Sequence, residues 1–138
     1  MSESNKCYAF FSLTGEFDPE EITRRLGVKP SDTWRKGDWH PRVQRERKNS
    51  RWKLESRLTR LQPLEDHIAD VLAQMEKNAQ AFSAISKEYN GLMQLVGYFH
   101  EGYPGLGFDA QLVAGLAKFN LSMDLDFYAL WSDAREDT

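Results

Sequence analysis

Residues Arg51–Leu58 read RWKLESRL. Trp52, Leu54, Ser56 and Leu58 alternate with Lys53, Glu55 and Arg57, the period-two pattern of a strand with one buried face and one wet face. Leu121–Tyr128, LSMDLDFY, repeats it, with Leu121, Met123, Leu125 and Phe127 inward and Asp124 and Asp126 outward. Cys7–Leu13 (CYAFFSL) and Leu92–Phe99 (LMQLVGYF) are apolar in both alternating sets and are expected as central strands. Strand and helix alternate along the chain, which is compatible with a parallel α/β fold. Two half-wet strands argue against a sheet covered on both sides. The expected fold is therefore α+β: a four-stranded or slightly larger, mixed or antiparallel sheet, helices mainly on one face, in a single domain. Its open face would carry Tyr8 and Phe10, or their opposite set. Either the Trp34–Trp39 segment or a second copy of the chain, a homodimer, would cover it.

The helices announce themselves by their ends. In Asp18-Pro19-Glu20-Glu21, aspartate can cap orphan N–H groups, proline suits the first helical position, and two carboxylates complement the dipole. Ile22 and Leu26 give the buried stripe, Arg24 and Arg25 sit in the last turn, and Gly27 is expected as a left-handed stop. From Pro63, the residues Leu64, Ile68, Val71, Met75, Phe82, Ile85 and Tyr89 keep a helical stripe broken at Asn78. One rod of that length would be about 39 Å at 1.5 Å per residue. A domain of this size has a radius of gyration of about 14 Å. Two helices, or a kink near Asn78, are expected instead. Asp109 is expected to cap a helix running through Asn120 that buries Leu112, Val113, Leu116 and Phe119. His67, beside the stripe, is expected half-buried.

Residues 28–50 contain Pro30, Gly37 and Pro41 and no sustained periodicity. They are expected as a long basic loop, its first half ordered by Trp34 and Trp39, its second half (RVQRERKNSR) mobile for want of anchors. The domain is expected to span 7–131, with residues 1–6 disordered and 132–138 a loose tail. Net charge is −3, yet Arg35–Arg60 holds ten basic residues against three acidic ones, so the window is +7 and the remainder −10. Such asymmetry speaks of partners rather than fold. The single Cys7 excludes an intramolecular disulfide, and no apolar stretch approaches the ~20 residues that cross a bilayer. A cytoplasmic protein without membrane contact is expected.

Motifs for chemistry are sparse. His40, His67 and His100 lack paired metal-ligand spacing, and Asp124 with Asp126 reads better as a solvated strand face than as a cation site. Cys7 lies in an apolar strand, where thiols are inert. No serine sits in a nucleophile elbow, and no motif supports catalysis by carboxylates. Gly102–Gly107 (GYPGLG) follows a strand and precedes a helix, but its spacing and Pro104 favour a tight turn over a phosphate loop. No cofactor or metal is expected, and the balance leans away from an enzyme.

Several pieces together resemble the uncharacterised bacterial family catalogued as domain of unknown function 4279. They are Phe17-Asp18-Pro19 with Ile22-Thr23 and Leu26-Gly27, Pro30-Ser31-Asp32, Trp34 with Lys36-Gly37-Asp38, Trp52, Leu64 to Leu72, and Asp124-Leu125-Asp126-Phe127-Tyr128. The resemblance covers about Tyr8 to Tyr128, and Trp34…Lys36-Gly37-Asp38 is its most specific part. Phe127 and the basic Arg42–Arg51 segment depart from it. It implies a small bacterial domain and no activity. From the residues, the leading expectation is a binding module that recognises an acidic partner, a protein ahead of nucleic acid. Its surface would be Trp34, Arg35, Lys36, Asp38, Trp39, His40, Arg42, Arg45, Arg47, Arg51 and Lys53, within the span Trp34 to Arg60. The alternatives are an enzyme or small-ligand binder using a pocket beside Gly27–Trp39, lined by Arg35, Asp38 and His40, and a single-stranded nucleic-acid binder.

Overall fold

A computed structural model describes residues 3–132. The elements are β1 (Lys6–Gly15), α1 (Pro19–Leu26), β2 (Asp32–Trp34), β3 (Trp39–His40), β4 (Arg45–Glu46), β5 (Ser50–Glu55), α2 (Leu64–Met75), α3 (Ala79–Tyr89), β6 (Leu92–Phe99), α4 (Ala110–Lys118) and β7 (Ser122–Ala129). Five strands join one mixed sheet in the order β2-β5-β1-β6-β7, and β3 pairs with β4 in a separate small hairpin. β1 runs antiparallel to both β5 and β6, and β7 runs parallel to β6. The twofold-apolar β1 and β6 lie inside the sheet, as their sequences require.

Cys7, Ala9, Phe11 and Leu13 of β1 point to the helices, together with Trp52 and Leu54 of β5 and Met93 and Leu95 of β6. Ile22, Leu26, Ile68, Val71, Met75, Phe82 and Ile85 close over them. Trp52 is fully buried, meets Phe11 and Phe82 edge-on, and donates its indole N–H to Thr23 Oγ1 at 3.0 Å. The helix ends follow the sequence. Asp18 accepts from the Glu20 amide, and Gly27 takes φ 68° while its N–H bonds the Thr23 carbonyl.

The α2–α3 stripe breaks at Asn78 for a reason. A short 3₁₀ turn, Glu76–Asn78, separates the helices, and the Asn78 amide donates to the carbonyls of Arg25 (3.3 Å) and Leu26 (3.2 Å). Asn78 thus caps the end of α1 instead of burying an apolar side chain.

Other expectations need correction. Residues 28–50 hold three short strands, β2, β3 and β4, where a plain loop is expected. Trp39 is 60% exposed and anchors nothing. The strand of 51–58 ends at Glu55, because the Arg57 amide and guanidinium both turn to Asp70 of α2, and Leu58 is left exposed. His67 is fully buried, with Nδ1 bonded to Ser56 Oγ. Val113 (51%) and Leu125 (50%) are exposed, because β7 is an edge strand and α4 reaches the core through Leu116 and Phe119. Asn5 Oδ1 accepts from the amides of His100 and Glu101, so part of the expected loose lead is tied down. Met1 and Ser2, and 133–138 of the expected tail, lie outside the described residues.

Candidate functional site

Strand register decides which side chains share the face that no helix covers. Lys53 pairs with Ser12 and with Asp32, Arg51 with Thr14 and with Trp34, and Glu55 with Phe10. On the other side of β1, Tyr8 pairs with Val96 and Phe10 with Gln94, and these continue to Asp126 and Asp124 of β7. Directly paired residues point to one face. The open face therefore runs from Trp34, Arg51 and Lys53 through Tyr8, Phe10 and Val96 to Asp124, Asp126 and Tyr128.

Cations lie on its aromatic rings. Arg47 stands 3.7 Å and Arg51 5.1 Å from the Trp34 ring centroid. Lys53 Nζ is 4.1 Å over Phe10, and Arg60 is 3.9 Å over Tyr8. Phe10, on an otherwise open face, is consequently only 6% exposed. Long cationic stems carpeting aromatic rings keep their charged heads near water.

The ten basic residues of the window divide by their partners. Arg35 pairs with Asp18 (2.9 Å) and Glu20, Lys36 with Glu16, and Arg57 with Asp70. The other seven, Arg42, Arg45, Arg47, Lys48, Arg51, Lys53 and Arg60, have no carboxylate within ion-pair distance among the described residues. Burial, then Arg47, pushes the Arg51 guanidinium below its ordinary pKa, and burial also lowers Lys53. The pKa of His40 is lowered by desolvation and then by Arg47, Arg42 and Arg45. This is a cationic cluster short of counter-charge.

Trp34 forms part of the wall of two clefts. One, about 290 Å³, lies between the β3–β4 hairpin and the sheet, and His40, Arg45, Arg47 and Arg51 help line it. Among the described residues, Nδ1 of His40 and Nε of Arg47 and Arg51 have no hydrogen-bond partner. The other cleft, also about 290 Å³, lies beside α1 and is lined by residues including Thr23, Thr33, Arg35 and Asp38. This second cleft has Arg35 and Asp38 in its wall, whereas His40 lines the first cleft.

The segment Lys36-Gly37-Asp38 is a turn. Asp38 Oδ2 accepts from the Arg35 amide at 2.8 Å, Gly37 takes φ 94°, and the Lys36 amide donates to Ser50 Oγ. Hydrogen bonds from the Gly37 amide to the Arg47 carbonyl and from the Arg47 amide to the Asp38 carbonyl close the hairpin base. Its residues aim Trp34 and Arg47 at one another. Of the expected surface, Trp34, Arg47, Arg51 and Lys53 converge with His40 and Arg45 nearby; Arg35, Lys36 and Asp38 are internally engaged; Trp39 and Arg42 are exposed on the hairpin. Tyr8, Phe10, Thr14 and Arg60 complete the site: strand register selects Tyr8 and Phe10 over their opposite set and adds Thr14, and Arg60 joins by lying over Tyr8.

Elsewhere, Cys7 is buried, its Sγ donates to the Gln62 carbonyl, and burial raises its pKa. The Gly107 amide faces Glu65 at 3.3 Å, so it is not free for phosphate. Among the described residues no three His, Cys, Asp or Glu side chains gather in a metal-binding group, and no helix is long and apolar enough to cross a membrane.

The family model described as Domain of unknown function (DUF4279) matches residues 5–130. No curated protein and no solved structure matches the chain.

Proposed function

The chain belongs to the family described as Domain of unknown function (DUF4279), and for it we propose a binding module that grips an acidic partner on the open sheet face. One observation carries this: Arg47, Arg51, Lys53 and Arg60 lie on the rings of one face with no carboxylate in ion-pair reach among the described residues. Like charges held together in a partly dry site cost stability until an anion joins them. Guanidiniums occupy the Trp34 ring, where a base would have to stack, which favours carboxylates of a protein over nucleic acid.

The test is a titration with poly-glutamate and, separately, with a single-stranded oligonucleotide, at low and high salt. Poly-glutamate binding is expected to weaken with salt, and roughly tenfold or more in Arg47→Ser/Arg51→Ser. Binding indifferent to salt and to that double substitution would overturn the proposal. Preference for the oligonucleotide would replace it with the nucleic-acid reading, which the exposed Trp39 favours. The cleft lined by Arg35 and Asp38 favours a second reading, a small-ligand binder or enzyme. Its charged groups already serve Asp18, Glu20 and the turn, so this reading ranks lower.

A further inference from the structure

We propose that the acidic partner of this face is a second copy of the chain, laid face to face across the open side of the sheet. This rests on reading that face as a site for an acidic partner.

The face is charged oppositely at its two flanks. Over β2 and β5 stand Arg47, Arg51 and Lys53 beside Asp32 and Glu55, and Arg60 stands over Tyr8 of the neighbouring β1. Over β7 stand Asp124 and Asp126, both exposed and, among the described residues, without an ion-pair partner. Between the flanks run two stacked aromatic pairs, Tyr8–Phe10 at 6.1 Å and Tyr98–Tyr128 at 5.1 Å. Tyrosine, tryptophan and arginine are the residues enriched in interface centres.

Symmetry then selects one arrangement. A closed dimer uses the same patch on both copies. A two-fold axis across the strands would lay cation over cation. An axis along the strands, between β1 and β6, lays β5 and β1 of each copy over β7 and β6 of the other and keeps every residue at its own level, so that Arg60, over Tyr8, comes level with Asp126, and Lys53 Nζ, over Phe10 and beside Glu55, comes level with Asp124. Aligned sheets pack in this way, with strands crossing at about 30°.

Size sets the expected strength. Four strands about 4.8 Å apart and about eight residues long present a footprint on the order of 500 Å². Two copies bury on the order of 1,000 Å², the lower bound for a specific interface. The dimer is expected to be weak, reversible and salt-sensitive.

The experiment is sedimentation equilibrium across the micromolar range at low and high salt, with circular dichroism as the check on folding. The wild-type chain is expected to dimerise at low salt. Lys53→Glu/Arg60→Glu and Asp124→Lys/Asp126→Lys are each expected to weaken dimerisation roughly tenfold or more, and an equimolar mixture of the two to restore it. A wild-type chain that stays monomeric, a dimer that survives both reversals, or a mixture that fails to pair would overturn the proposal. Survival of both reversals would point instead to pairing along the β7 edge. The Asp124→Lys/Asp126→Lys variant keeps its cationic flank and separates the two claims. If it binds poly-glutamate while the wild type never dimerises, only the self-association falls. If it binds neither poly-glutamate nor the complementary variant, the acidic-partner reading falls as well.

Discussion

Trp34 and Trp39 look interchangeable in sequence and differ in what their rings touch. Trp34 carries two guanidiniums and helps wall both clefts, whereas Trp39 stands 60% exposed. Trp34→Ala removes the platform that orients Arg47 and Arg51, and is expected to weaken poly-glutamate binding roughly tenfold, the scale of one charge-assisted contact. Trp39→Ala is expected to leave that affinity within about twofold and stability within about 0.5 kcal/mol. Fluorescence titration and urea unfolding of both variants check the contrast; equal losses would show that Trp34 is not the organising ring. A second residue-scale effect belongs to His67. Its side chain is fully buried, and burial lowers its pKa from 6.5, with the nearby carbonyls of Thr59 and Gln62 opposing the shift. A histidine depressed in the fold binds fewer protons there than in the unfolded chain. Its stability contribution is therefore complete above 6.5 and is lost as pH falls towards the folded value. Tm is expected to drop across that window. His67→Gln should cost about 1–3 kcal/mol at neutral pH yet show a shallower decline in acid. An unchanged acid slope would mean that other groups set it.

At the scale of elements, the parts that depend on local pattern were legible. The Asp18 cap, the Gly27 stop, the central positions of β1 and β6 and the break at Asn78 follow from residue type and spacing. What was not legible depends on chain segments meeting from afar. Asn78 reads as a flaw in an apolar stripe until the carbonyls of Arg25 and Leu26 come within reach of its amide. His67 reads as half-buried because nothing local announces Ser56. Lys36-Gly37-Asp38 reads as charged loop chemistry, and only the hairpin shows it to be a turn. Asn78→Ala is therefore expected to destabilise the protein by about 1 kcal/mol through α1, despite alanine's better helix propensity. Urea unfolding measures the loss, and amide exchange should accelerate in the last turn of α1 more than in α3. A stabilised variant would mean that the bonds from Asn78 contribute nothing.

Over the whole molecule, charge separation that was plain in sequence acquires direction from the sheet. The window of Arg35–Arg60 supplies cations at one flank of the open face, while β7 supplies carboxylates at the other. Arg35, Lys36 and Arg57 were indistinguishable from the rest by composition, and they leave the cluster because Asp18, Glu16 and Asp70 happen to lie beside them. Seven cations without ion-pair partners remain among the described residues, and their mutual repulsion makes the native state sensitive to any anion that binds it. Poly-glutamate at a hundred times its dissociation constant is expected to add about 2.7 kcal/mol of stability by mass action. For a chain of this length that corresponds to a rise in Tm of about 8 °C. Arg47→Ser/Arg51→Ser should lose most of the rise, whereas Arg35→Ser, whose guanidinium is already neutralised by Asp18 and Glu20, should keep it. Thermal scans of the three proteins, with and without the polyanion, decide the matter. If Arg35→Ser loses as much as the double variant, stabilisation would reflect net charge alone and not the cluster around Trp34.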